Sequence, residues 1–260
     1  MLEPLQYLLG GGSGALVGFT LGLVGGGGSI LAVPLMVYLV GVANPHVAIG
    51  TSALAVAINA GSGLISHARA ATVKWRCGGM YALAGIIGAF GGSTLGKAID
   101  GQKLLALFAL LMIAVGVLML RRREEAKLPD VQCNRTNAPK VLGFGLATGA
   151  FSGFFGIGGG FLIVPGLIAA TDMPMINAVG TSLVAVTAFG LTTAFNYALS
   201  GLVDWRLAAV FVGGGLIGSV AGTIIARRLA RSGRLARIFA ILIFVVAAYM
   251  LWRSADALLS

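Results

Sequence analysis

Charge is scarce in this chain. Charged residues fill 10% of 260 positions and hydrophobic ones 58%, whereas a soluble domain carries about 25% charged residues. With a mean hydropathy of +0.97, the sequence cannot cover a soluble surface and reads as an integral membrane protein. Cysteine is nearly absent: Cys77 and Cys133 fit neither CxxC nor metal-ligand spacing, and both are expected to be free structural thiols beside cytoplasmic loops. There are two histidines, no HExxH, no catalytic dyad and no large soluble loop. An enzyme is therefore not expected, and no cofactor or metal is implied. The net charge of +10 comes without heptads, an RNA motif or interleaved aromatic and basic residues, so no nucleic-acid partner is expected. The start, "MLEPLQYLLG", lacks a basic n-region and a small-residue cleavage site, so no removed signal peptide is expected.

What is abundant is apolar sequence in long runs. Uncharged segments cover 5–23, 30–43, 47–66, 77–96 and 104–120, and then 141–155, 161–170, 175–199, 207–226 and 238–252. Their lengths suit spanning helices rather than barrel strands. A polar linker at 121–140 separates the two sets. The basic loops at 69–76 and 227–237 and this linker belong in the cytoplasm by the positive-inside rule. That assignment gathers 14 of the 18 basic residues inside and leaves both termini outside. No Asp, Glu, Lys or Arg falls within a span. Coupling through an embedded carboxylate is therefore not expected.

The two sets match at an offset of 130–131. "GLVGGGGSILAVP" (22–34) answers "GFFGIGGGFLIVP" (153–165). "AIGTSALAV" (48–56) answers "AVGTSLVAV" (178–186), and "VKWR" (73–76) answers "VDWR" (203–206). Gly85, Gly88 and Gly92 fall on Gly215, Gly218 and Gly222. The charge map orients the two copies oppositely. The fold expected is thus an all-α, polytopic transmembrane helical bundle of two inverted-topology repeats, 1–120 and 141–260. An odd number of crossings per repeat is met by three full spans plus a glycine-broken pair, read as two half-length helices meeting at the glycines.

Consecutive glycines deep in an apolar chain need a purpose, because backbone in hydrocarbon must be paired unless it lines a cavity. A helix beginning near Ser29 or Gly160 would point free N–H groups and a positive dipole end at an anion. Gly25, Gly26, Gly27, Gly28 and Ser29, with Gly156, Gly158, Gly159 and Gly160, are therefore candidate substrate-binding positions. Thr51, Ser52, Thr181 and Ser182 supply hydroxyls that either donate to an oxyanion or bond back to their own helix. Asn59 is an amide within a span and completes the candidate set. Asn196 lies near a span end. Gly85, Gly88, Gly92, Gly215, Gly218 and Gly222, at helical spacing, read better as close helix packing.

These doubled glycine, proline and GTS motifs resemble the sulfite exporter TauE/SafE family, also called TSUP permeases, from about residue 14 to 252. The resemblance implies a bacterial plasma-membrane transporter of sulfite, sulfoacetate, thiosulfate or related sulfur anions. Its motifs fall on Gly25 to Ser29, Pro34 and Gly50 to Ser52, and on Gly156 to Gly160, Pro165 and Gly180 to Ser182. Ser29 stands where the second copy has Gly160. The function expected is export of a small sulfur-containing oxyanion by alternating access, with the two halves rocking about a midplane site. The alternative is an anion channel or a permease for another small organic anion. Membrane lipid is the other partner, and oligomerisation is open.

Overall fold

The computed structural model describes residues 3–121, 133, 137–158, 160–229 and 244–253. Among these there are helices and no strands, as hydrocarbon demands of a chain that must pair its own backbone. Helix α1 is Pro4–Val24. Behind it Gly25–Leu31 winds as a 3-10 helix, Ala32–Pro34 (α2) as one α turn, and Leu35–Leu39 as a π segment. Then come α3 (Pro45–Arg69), α4 (Trp75–Lys97), α5 (Gly101–Arg121), α6 (Ala138–Phe155), α7 (Gly160–Thr171), α8 (Met175–Ala198) and α9 (Trp205–Leu229). Phe244–Arg253 forms α10.

Local sequence explains the starts. Asn44 caps α3, its side chain accepting from the His46 N–H, with Pro45 at the first helical position. Asp100 accepts from the Gln102 and Lys103 N–H groups to open α5, and Asp204 accepts from Arg206 and Leu207 to open α9. Among the described residues, three helices are long and apolar enough to cross a membrane by length and composition: α3, α8 and the 205–222 part of α9. The outward faces are greasy. Ile87 on α4 is 71% exposed and its aligned partner Ile217 on α9 is 75% exposed, a surface suited to lipid.

The segments following α1 and α6 are short. Gly28–Leu39 has 12 residues and α7 has 12, about 18 Å of helix against a core of ~30 Å. The expectation of two half-length helices needs correcting, however. α1 has 21 residues and α6 has 18, so only the second member of each pair is short. The return segment comes back to where α1 began, since Gln6 Nε2 donates to the Val40 carbonyl at 3.1 Å.

Two helix pairs dominate the packing: α1 with α9 and α4 with α6. Both are built on glycine. A Cβ added to Gly14, Gly18, Gly218 or Gly222 would collide with the backbone of Phe211, Gly215, Ala15 or Phe19 across the α1/α9 seam. Across α4/α6, Gly145, Gly149, Gly88 and Gly92 stand in the same relation to Tyr81, Gly85, Leu146 and Ala150. Residue numbers rise together along each seam, so both pairs are parallel. Small residues let the backbones touch and dispersion act at short range. The close packing read from the spacing of Gly88, Gly92, Gly218 and Gly222 is present. Each seam joins the first helix of one half to the fourth helix of the other. The halves are therefore interlocked through these seams.

One expectation is overturned outright. Cys77 and Cys133 are not free thiols. They form a disulfide with Cα atoms 5.4 Å apart, tying the linker to the first turn of α4. Their separation of 56 residues carries no pairing signal. Only the fold brings Cys133 to α4.

Candidate functional site

α3 and α8 run antiparallel side by side through the middle of the bundle, with Gly50 against Tyr197 at one end and Gly63 against Leu183 further along. The second glycine stretch is inserted at their centre. Gly156 ends α6 in the left-handed conformation with φ 67°, which glycine adopts without a Cβ penalty. Gly158 also has φ 63°. A Cβ on Gly158 would lie 2.9 Å from Val56 of α3 and 3.5 Å from Val186 of α8. Val56 and Val186 are aligned residues of the two GTS motifs. Gly156 rests on Ile49. α7 opens at Gly160 and touches the 3-10 helix that carries Gly25, Gly26, Gly27, Gly28 and Ser29. The two glycine stretches therefore meet beside the α3/α8 pair. Gly159 lies outside the described residues.

The two stretches differ in conformation. In the second half α6 ends, the chain turns through left-handed glycines, and α7 begins. In the first half α1 passes directly into the 3-10 helix, so no α-helix starts at Ser29. Gly28 lies against the backbone of Thr20 and Leu21, where a Cβ would collide, and its carbonyl accepts from Thr20 Oγ1 at 3.3 Å. Of the two stretches, the second is the one at which a described α-helix opens, at Gly160.

The GTS hydroxyls are already engaged. Ser52 donates to the Ile49 carbonyl at 3.1 Å and Ser182 to the Val179 carbonyl at 2.7 Å, bonds within their own helices. Thr51 accepts from the Asp204 N–H and Thr181 from the Lys74 N–H, each at 2.9 Å. Asp204 and Lys74 are the aligned residues of "VDWR" and "VKWR". Each threonine thus fixes the start of the fourth helix in the opposite half. Each motif glycine makes room for that same loop. A Cβ on Gly50 would strike the Leu202 carbonyl, and one on Gly180 would come 2.6 Å from Thr72 Oγ1. Sequence reasoning grouped GTS with the ligand and missed this joint. The matched "VKWR/VDWR" pair at the same offset was the available signal.

The amides part company. Asn196 is a clamp. Its Nδ2 donates to Phe90 O, Ser93 Oγ and Thr94 Oγ1, and its Oδ1 and carbonyl accept from Lys97 Nζ at 2.8 and 2.9 Å. That network closes the C-terminal ends of α4 and α8. Asn59 is 2% exposed, and neither its Nδ2 nor its Oδ1 has a partner. It lies on α3 one turn beyond Val56 and two turns beyond Ser52, on the face those residues share, and it abuts Gly215 of α9. The sequence candidates are thus divided: Gly156, Gly158, Gly160 and the 3-10 helix converge, Ser52, Ser182 and Asn59 flank that point, and Thr51 and Thr181 serve the joints.

A family profile described as "Sulfite exporter TauE/SafE" matches residues 11–250. Two proteins of Xylella fastidiosa, from strains Temecula1 and 9a5c, are 54% and 55% identical over 250 residues, spanning 94% of this chain and 94% of each relative. Both are described as "Probable membrane transporter protein". YunE of Bacillus subtilis carries the same description at 26% identity, over 83% of this chain and 87% of its own. No solved structure matches. Glycine-broken helices inside an apolar bundle and a match along nearly the whole chain lead to one conclusion: the chain belongs to the TauE/SafE sulfite exporter family of membrane transporters.

Proposed function

We propose that this protein exports a small sulfur-containing oxyanion, sulfite, sulfoacetate or another organosulfonate, across a bacterial plasma membrane by alternating access. The observation that carries the reading is the second glycine stretch. It is set between Val56 and Val186 at the middle of the α3/α8 pair, with α7 opening at Gly160 beside the 3-10 helix of the other half. Backbone N–H groups in such a place hold an anion without a cationic side chain. The repeats, 1–120 and 141–260, are oppositely oriented in this reading, with the 121–140 linker cytoplasmic and both termini outside. Parallel α1/α9 and α4/α6 seams and antiparallel α3 and α8 support that orientation. The bodies that move are then α1 with α9 and α4 with α6, because backbone contact in the seams resists sliding while α3/α8 and the glycine stretches lie between them. Export is downhill for an anion leaving a negative-inside cell, by about 2.3 kcal/mol per charge per 100 mV.

The test is efflux from proteoliposomes loaded with sulfite, sulfoacetate, sulfate or chloride at equal ionic strength. Saturable efflux of a sulfur oxyanion, accelerated by the same anion outside, is the expected result. Linear flux without exchange would make the protein a channel, and no flux of any sulfur anion would end the reading.

A further inference from the structure

Asn59 combines three properties. It is buried to 2% exposure with both amide atoms unpartnered. It shares the α3 face of Val56, the residue that meets Gly158. Its aligned position in α8 is Phe189, whose ring lies 6.3 Å from that of Tyr81 and fills the space over Gly85. At matched positions α3 thus carries an amide and α8 an aromatic ring. The nearby hydroxyls of Ser52 and Ser182 are spent on their own helices. An amide has a donor end and an acceptor end, and a buried one needs both answered.

From this we infer, resting on the oxyanion reading above and narrowing it to sulfite over the organosulfonates, that the site takes its substrate as a monoprotonated monoanion. Asn59 reads the proton: its Nδ2–H donates to an ionised oxygen and its Oδ1 accepts from the ligand's O–H. A fully ionised dianion answers only the N–H. It sets a negative oxygen against Oδ1, and it brings two charges to a level of α3 and α8 where residues 47–66 and 175–199 contain no Asp, Glu, Lys or Arg. The titratable groups on the packed elements stand away from that level. They are His46, His67 and Arg69 on α3, Tyr197 on α8, Asp204, Arg206, Arg227 and Arg228 by α9, Glu3 and Tyr7 by α1, Tyr38 in the return segment, and Lys103 and Arg121 on α5. The proton that matters is therefore the ligand's.

The experiment measures binding of sulfite and of methanesulfonate to the purified full chain across the second ionisation of sulfite, near neutrality. Methanesulfonate stays an ionised monoanion without an O–H throughout, so it reports any titration of the protein itself. The expected result is that affinity per total sulfite falls about tenfold per pH unit above that ionisation, while methanesulfonate binds at least about tenfold more weakly and without a slope. Asn59→Leu should weaken sulfite and abolish the slope. Sulfite affinity that is flat or rises with pH overturns the inference in the wild-type protein, whether or not the variant folds. A slope retained in a folded Asn59→Leu protein overturns the role of Asn59. Failure of every sulfur oxyanion to bind at any pH instead overturns the carrier reading beneath it.

Discussion

The α1/α9 seam and the α4/α6 seam correspond residue for residue. Gly18 meets Gly215 as Gly149 meets Gly85, and Gly222 meets Phe19 as Gly92 meets Ala150. The two threonine joints correspond as well, at the same 2.9 Å. The glycine stretches to which α1 and α6 lead do not. One half continues as a 3-10 helix and the other breaks through left-handed glycines into α7. Around the centre, Asn59, against Gly215, aligns with Phe189, over Gly85, and Cys77, held to the linker, aligns with Leu207. Repetition has kept what holds the helices together. Difference is concentrated where a ligand would be read. A symmetric scaffold lets the two sides be equivalent, but recognition needs only one polar contact in the right place.

The largest effect should come from breaking a seam. Gly92→Ala and Gly218→Ala each set a methyl against backbone that has no rotamer to yield. Each should cost about 1–3 kcal/mol or more and lower the melting temperature in a detergent thermal-stability assay. On the same two helices, Gly91 and Gly213 have nothing within 4 Å of an added Cβ. Alanine there should be neutral or stabilising by up to about 1 kcal/mol. Equal tolerance at 91 and 92 would refute the seam.

Next comes the comparison of two strained glycines. Gly158→Ala and Gly201→Ala both place a methyl-bearing residue at positive φ, 63° and 69°, at roughly 1–2 kcal/mol each. Gly201 has open space around it, whereas Gly158 has Val56 at 2.9 Å. Flux in proteoliposomes should survive the change at 201 and fail at 158. The joints should then behave as twins. Thr51→Val and Thr181→Val each orphan one backbone N–H and should lower stability by the same ~1–3 kcal/mol. A marked difference in melting temperature between them would separate the halves where geometry says they agree.

The disulfide should matter least to stability, because it ties only the linker to a helix already fixed by its seam. Cys77→Ser should shift the melting temperature less than any seam or joint variant. The bond also tests orientation. Disulfides persist on the oxidising side of a membrane, while the basic linker is read as cytoplasmic. In sealed right-side-out vesicles, a membrane-impermeant reductant followed by an impermeant thiol reagent should leave Cys77 and Cys133 unlabelled. Labelling would put the linker outside and invert the topology.

The sequence by itself determined that this chain is a bundle of apolar helices with two matched halves, because composition, run length and the 130–131 offset are local or one-dimensional facts. It also determined where the backbone must be irregular, since only glycine suits Gly156 and Gly158. It set six helical glycines aside for packing, and the seams at Gly88, Gly92, Gly218 and Gly222 show why: the absence of a Cβ at helical spacing is itself the contact. Tertiary structure alone decided the partners. Which helix each glycine ridge would meet, that Thr51 and Thr181 would serve loops of the opposite half, and that Cys133 would reach Cys77 all depend on contacts between residues far apart in the chain. The same holds for Asn59 and Asn196. Two intramembrane amides look alike in sequence, but one finds Lys97, Ser93 and Thr94 within reach and the other is packed against a glycine with nothing to bond. Whether a buried polar group is satisfied is a property of its neighbours in space, and those are fixed only when the helices pack.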